Sequence, residues 1–143
     1  MFGDTKRQTF LPYKSFAQSA ACLDMRRLGK QRVEAKQILM ALTGESKGWV
    51  NHPATKMWRG YESALATYGL MCCNEWKMRG YTDTLTTYFC YVSVPESNGK
   101  MPDWLTDEFC LSHRSNLIRK MPEYYGPMWP DVPDDLPYVW PVK

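Results

Sequence analysis

Apolar residues recur at helical spacing along most of the chain. Leu28, Ala35, Ile38, Leu39 and Leu42 fall on one stripe of a helical wheel and predict a long helix over Leu23 to Leu42. Asp24 stands where its cap belongs, and Thr43-Gly44 where it should end. A second stripe, with Met57, Tyr61, Ala64, Leu65, Tyr68, Met71 and Cys72, predicts a helix from Ala54 to about Arg79. Pro53 opens it and Gly80 stops it. Ser15 is placed to cap a short helix ending near Cys22. Asp83 to Val92 predicts another short helix, despite the β propensity of Thr86 to Val92. Asp103 to Thr106 predicts a brief helix, and Ser112 to Lys120 a short basic one halted by Pro122. Residues 1–14 read as an irregular arm. Residues 122–143 carry Pro at 122, 127, 130, 133, 137 and 141 and read as an extended, aromatic tail. The pattern predicts an all-α fold, one compact domain over residues 1–143, without internal repeats.

Polar residues interrupt the first long helix where it should be quiet. Gln31 falls inside the apolar stripe, and Arg27, Lys30 and Glu34 line its edge three and four residues apart. Half-buried charges cost desolvation energy unless they pair or bind something. One reading is a solvated flank laced by Arg27–Glu34 and Lys30–Glu34 ion pairs. The other is a site. There Lys30, crowded by Arg26, Arg27 and Arg32, is a candidate Schiff-base amine, with Glu34 one turn on as its acid/base partner.

Three further clusters carry donors for an anionic, base-containing ligand. Asn51-His52-Pro53 opens a helix, with Arg59 in its wake. His113, Arg114 and Asn116, followed by Arg119 and Lys120, gather phosphate-type donors at another expected helix start. Tyr124 and Tyr125 begin an aromatic run suited to stacking on bases. Each cluster also has a plain structural reading as a cap, a solvated basic face or a core cover.

Composition narrows the class. At 143 residues, 44% hydrophobic and 14% aromatic, the chain is long and apolar enough for a real core. The net charge is only +3, but the cations are grouped, and acid collects late at Asp131, Asp134 and Asp135. Mean hydropathy is −0.49, and no run reaches the length of a membrane span. Five Cys without a C-x-x-C pair or a secretory leader fit reduced thiols and a cytoplasmic setting. Two His are too few and too scattered to suggest a metal site.

Four segments in order carry a family resemblance. They are a polar helix near the start, then Lys47-Gly48-Trp49-Val50-Asn51-His52-Pro53, then Glu75-Trp76 with Arg79-Gly80-Tyr81, then Leu117 through Gly126. Over most of residues 15–126 this resembles the pyrimidine-dimer DNA glycosylase family, the small phage-type endonuclease V enzymes and their bacterial and phage relatives. The resemblance implies an all-α repair enzyme that bends duplex DNA and extrudes a nucleotide. In that family an N-terminal α-amine attacks the sugar C1′, a helix Glu assists, and an Arg-rich face with an aromatic tail grips the duplex. Two departures stand out. Bulky Phe2 is expected to keep Met1 in place, and Gln31 falls where the family has its Glu.

The expected function is therefore excision or processing of a damaged or modified base through an amine, with duplex DNA as partner and no membrane. Lys30 or the Met1 amine is the nucleophile, Glu34 the acid/base, and Gln31 positions the ligand. Arg27, Arg32, Asn51, His52, Arg59, His113, Arg114, Asn116, Arg119, Tyr124 and Tyr125 hold phosphate or base. An amine route needs no metal and no cofactor. The alternative is a non-catalytic binder of DNA or of a nucleotide-like small molecule on the same scaffold.

Overall fold

Local capping decides where the helices begin. Ser15 Oγ accepts from the Gln18 N–H and opens α1 (Phe16–Cys22); the Asp24 carboxylate accepts from the Arg27 N–H and opens α2 (Met25–Leu42). His52 Nδ1 accepts from the Ala54 N–H at 3.0 Å and opens α3 (Pro53–Trp58), with Pro53 in its first turn. Then follow α4 (Glu62–Met78), α5 (Thr86–Tyr91), α6 (Asp107–Lys120) and α7 (Pro122–Tyr125). The computed structural model describes residues 8–95 and 100–141, and among them the regular structure is entirely helical.

Three boundaries differ from the sequence pattern. The single helix expected over residues 54–79 is two, because Gly60 takes φ +90° and its N–H is caught by the Glu62 carboxylate at 3.2 Å. Both halves bury apolar residues in the same core, so the stripe runs unbroken across the turn. The brief helix expected at Asp103 to Thr106 is a turn. Thr106 Oγ1 accepts from the Phe109 N–H, which starts α6 at Asp107 rather than at Ser112. His113, Arg114 and Asn116 therefore lie inside a helix, not at its start. Asp107 and Glu108 in its first turn and Arg119 and Lys120 in its last complement the helix dipole.

The core forms where α2 packs on α4, with α1 and α5 also on α4, α3 on α2 and α7 on α6. Leu28, Ala35, Ile38 and Leu39 of α2 meet Leu65, Tyr68 and Cys72 of α4, and all seven are fully buried. Trp58, Phe109, Leu117 and Tyr125 close the core around them. The extended tail expected over residues 122–143 begins instead as a helical turn, α7, because Pro122 suits a first helical position; from residue 126 to 141 the chain has no regular structure. Trp129 pins it, stacking on Tyr125 at 5.5 Å and donating to the Tyr13 hydroxyl at 2.8 Å. The five cysteines are free thiols. Among the described residues, no helix is long and apolar enough to cross a membrane.

Gly69 makes the α4–α5 contact possible. A Cβ there would stand 2.3 Å from the ring of Phe89, which is itself buried. Alanine in a helix is worth about 1 kcal/mol over glycine, but overpacking of this kind costs about 1–3 kcal/mol. Gly69→Ala is expected to lose about 2 kcal/mol in urea unfolding, and adding Phe89→Leu should recover part of it.

Candidate functional site

Residues 8–13 of the arm enter the core without a partner strand. Their buried N–H and C=O groups must still be satisfied. Side chains from three helices do this. Gln31 of α2 accepts from the Phe10 N–H at 2.8 Å and donates to the Gln8 carbonyl at 2.7 Å. The Tyr68 hydroxyl of α4 lies 2.8 Å from the Phe10 carbonyl and 2.5 Å from Gln31 Oε1. In α6, His113 Nδ1 accepts from the Leu11 N–H at 3.0 Å, and Arg114 donates to the Pro12 carbonyl at 2.6 Å. Trp58 Nε1 donates to Thr9 Oγ1 at 3.0 Å.

Gln31 is 1% exposed, and its second N–H donates to Glu34 at 3.2 Å. All four hydrogen-bonding positions of its amide are thus in use, two as donor and two as acceptor. That explains an amide inside an apolar stripe. Glu34, one turn on, is half-buried and lies where Gln31 fixes the arm. Lys30 is exposed, so of the three residues expected to converge, Gln31 and Glu34 meet while Lys30 faces water. Met1 lies outside the described residues. The Gln8 amide and the Tyr138 hydroxyl are polar neighbours beside the arm, and burial pushes the Tyr138 hydroxyl up to about 12.

The cations divide between scaffold and surface. Arg27 pairs with Asp24 at 3.1 Å, and Asp24 is also held by the Tyr125 hydroxyl, which joins the head of α2 to α7. Arg32 pairs with Asp83 at 2.7 Å and lies over the Trp76 ring at 4.7 Å. Burial pushes the Asp83 carboxyl up, but hydrogen bonds from Thr86 and Arg32 outweigh it and hold it well below the usual range. Arg32 thus helps to fix the start of α5 through Asp83. Asn116 donates to Leu136 O at 3.1 Å, and Arg119 to Asp134 O and Leu136 O, so both clamp the tail. Lys120 is exposed at the end of α6. Partial burial, with repulsion from Arg27 and Arg119, lowers its pKa, which marks a cluster of three neighbouring cations.

The two imidazoles serve different elements. His113 is buried against Phe109, at 4.2 Å between ring centroids, and burial pushes it down to about 3, so it is neutral. His52 caps α3, while Arg59 is exposed and donates to Val50 O at 3.3 Å. Asn51 and Tyr124 are exposed, and Tyr125 is buried. Sequence reasoning passed over Gln8 and the hydrogen-bonding role of Tyr68. Tyr68 carried a signal, since a hydroxyl in an apolar stripe needs a partner. Among the described residues no three His, Cys, Asp or Glu side chains stand close enough to hold a metal ion. A surface cleft of about 550 Å³, lined by Thr43, Glu45, Tyr88 and Tyr91, lies near the far end of α2.

Gln31→Glu keeps the shape of the latch but removes both of its donors and sets a carboxylate against Gln8 O and Glu34. It is expected to cost about 3 kcal/mol at neutral pH, shrinking in acid as the introduced carboxyl protonates. His113 gives a second test. Its pKa falls on folding from 6.5 to about 3, so the unfolded chain takes up the proton first. The stability is complete above about pH 6.5 and is lost as pH falls toward 3, at up to about 1.4 kcal/mol per pH unit. Asp24 and Asp83, whose carboxyls are held low, lose their contributions only below about pH 4. Urea midpoints should therefore drop between pH 6.5 and 4.5 in the wild type and stay nearly level in His113→Asn.

A family model described as pyrimidine dimer DNA glycosylase matches residues 8–88. The matched span holds the arm, Gln31, Glu34 and the loop before α3. No curated protein and no solved structure matches the chain.

Proposed function

This chain belongs to the pyrimidine dimer DNA glycosylase family, and on that premise we propose that it excises a damaged base from duplex DNA through an amine. The amine attacks the sugar C1′, the bond from C1′ to the base nitrogen breaks, and the base leaves with the bonding electrons. The departing base takes a proton from water, and Glu34 takes one from the attacking amine and faces the positive charge that builds at C1′. The C1′–O4′ bond then breaks as the nitrogen lone pair forms the C=N bond, and Glu34 passes its proton to O4′, which gives the Schiff base between enzyme and opened sugar. The observation that supports this reading is the Gln31 amide, which fastens the start of the described arm beside a half-buried carboxylate. The amine is that of the arm or of Lys30, which sits one turn before Glu34 on the same helix.

Binding draws on the cations that the scaffold leaves accessible. Lys120 and Arg119 offer positive charge at the junction of α2, α6 and the tail, next to the Arg27–Asp24 ion pair. Asn51 and Arg59 offer exposed donors around the loop before α3. Arg32, His113, Arg114, Asn116 and Tyr125 act by holding the arm, the tail and α5 in place.

Borohydride trapping tests the reaction. With duplex DNA carrying a cyclobutane pyrimidine dimer, wild-type protein should form a reduced covalent adduct. Glu34→Gln should lower its rate by about a hundredfold or more, and Lys30→Ala shows which amine reacts. Wild-type protein that binds the duplex and forms no adduct would instead be a non-catalytic binder.

A further inference from the structure

Part of the tail lies along α6 like a strap. Ser112, Ser115, Asn116 and Arg119 stand on one stripe of that helix, and the first three are buried. A buried stripe of hydroxyls and an amide is costly unless something polar meets it. The tail meets it with its main chain. The Leu136 N–H donates to Ser115 Oγ at 3.0 Å, and the Val139 N–H to Ser112 Oγ at 3.3 Å. The Leu136 carbonyl accepts from Asn116 and from Arg119, each at 3.1 Å, and the Asp134 carbonyl accepts from Arg119. Pro137 keeps Leu136 extended and has no N–H of its own to satisfy. Residues 134–139 are thus held in a fixed register.

What that register delivers is Tyr138. Its ring meets the His113 imidazole edge-on at 5.4 Å, and the same imidazole accepts from the Leu11 N–H of the arm. Its hydroxyl neighbours the Gln8 amide. Gln8 is 3% exposed, and its carbonyl is held by Gln31, which also donates to Glu34. The tail therefore touches the arm at the residue that shares Gln31 with the carboxylate.

We propose that residues 134–139 form a strap whose Tyr138 is a positioning residue for the reaction, acting through Gln8 and Gln31 on Glu34. This deepens the glycosylase reading and rests on it. The Gln31 amide is planar and divides its donors between Gln8 O and Glu34, so slack in Gln8 passes to the carboxylate. An acid/base group displaced by a fraction of an ångström loses rate while the substrate stays bound. Tyr138 thus bears on the chemical step and not on the grip of the duplex.

Tyr138→Phe keeps the ring against His113 and deletes the hydroxyl. Amide hydrogen exchange should quicken about tenfold at Phe10 and Leu11, whose N–H groups are bonded to Gln31 and His113, and stay unchanged at Cys72 of α4. With dimer-containing duplex in excess, borohydride trapping should be about tenfold slower, and the duplex should bind as tightly as to wild type. Ser115→Ala, which releases the Leu136 N–H, should reproduce both effects in weaker form. The inference is overturned if Phe10 and Leu11 exchange no faster relative to Cys72 in Tyr138→Phe, or if they do and the trapping rate holds. It is equally overturned if duplex binding weakens in place of the rate. Wild-type protein that forms no adduct would bring down the glycosylase reading, and with it the role in the reaction, while exchange still decides whether the tail sets the arm.

Discussion

A buried backbone without a partner strand is the constraint from which much of this structure follows. Residues 8–13 run through the core, and each inward-facing N–H or C=O must be met. Leaving one unmet costs about 1–3 kcal/mol, a sizeable part of a small protein's stability. The solution is a few polar side chains from three helices. Gln31 of α2 serves as an uncharged amide, the Tyr68 hydroxyl of α4 lies by the Phe10 carbonyl, and α6 supplies both His113, as a neutral imidazole, and Arg114. The geometry near Glu34 is thereby set by hydrogen bonds of fixed direction, more tightly than apolar packing could set it.

That solution uses up residues that would otherwise look like ligand contacts. His113, Arg114 and Asn116 have the chemistry of phosphate donors, and their helix holds the arm on one side and the tail on the other. Arg119 does both jobs. Its guanidinium is satisfied by main-chain carbonyls of Asp134 and Leu136, which are neutral, so its charge is not cancelled. Beside Lys120 it leaves positive charge at the surface that no carboxylate pairs among the described residues. A scaffold contact made through carbonyls keeps a cation available in a way that an ion pair, such as that of Arg32 with Asp83, does not.

The chain's own pattern revealed the helices better than their partners. Periodicity found α2 with its caps, because Asp24 and the Leu28, Ala35, Ile38, Leu39 stripe are local signals. It fused α3 with α4, because a stripe records which face is apolar and not whether the axis turns; only Gly60 marked the break. It flagged Gln31 as out of place, correctly reading that a polar group in a stripe needs a partner. The identity of that partner was out of reach, since Gln8 and Phe10 lie 23 and 21 residues away in sequence. The same holds for Arg32 with Asp83 and His113 with Leu11, whose pairings depend on chain path. The left-handed backbone of Trp49 was out of reach for another reason, since such a conformation leaves no mark in a non-glycine residue type.

Charge then bears on how such a protein would find its target. The whole chain carries only +3, and the acidic tail residues Asp131, Asp134 and Asp135 are exposed near the cationic end of α6. A small cationic cluster neutralises few phosphates, so on the glycosylase reading sequence-independent binding would be weak and only mildly salt-dependent. Weak general affinity is useful to a protein that must leave undamaged duplex quickly. Discrimination must then come from what differs at a lesion, which is stacking and deformability rather than charge.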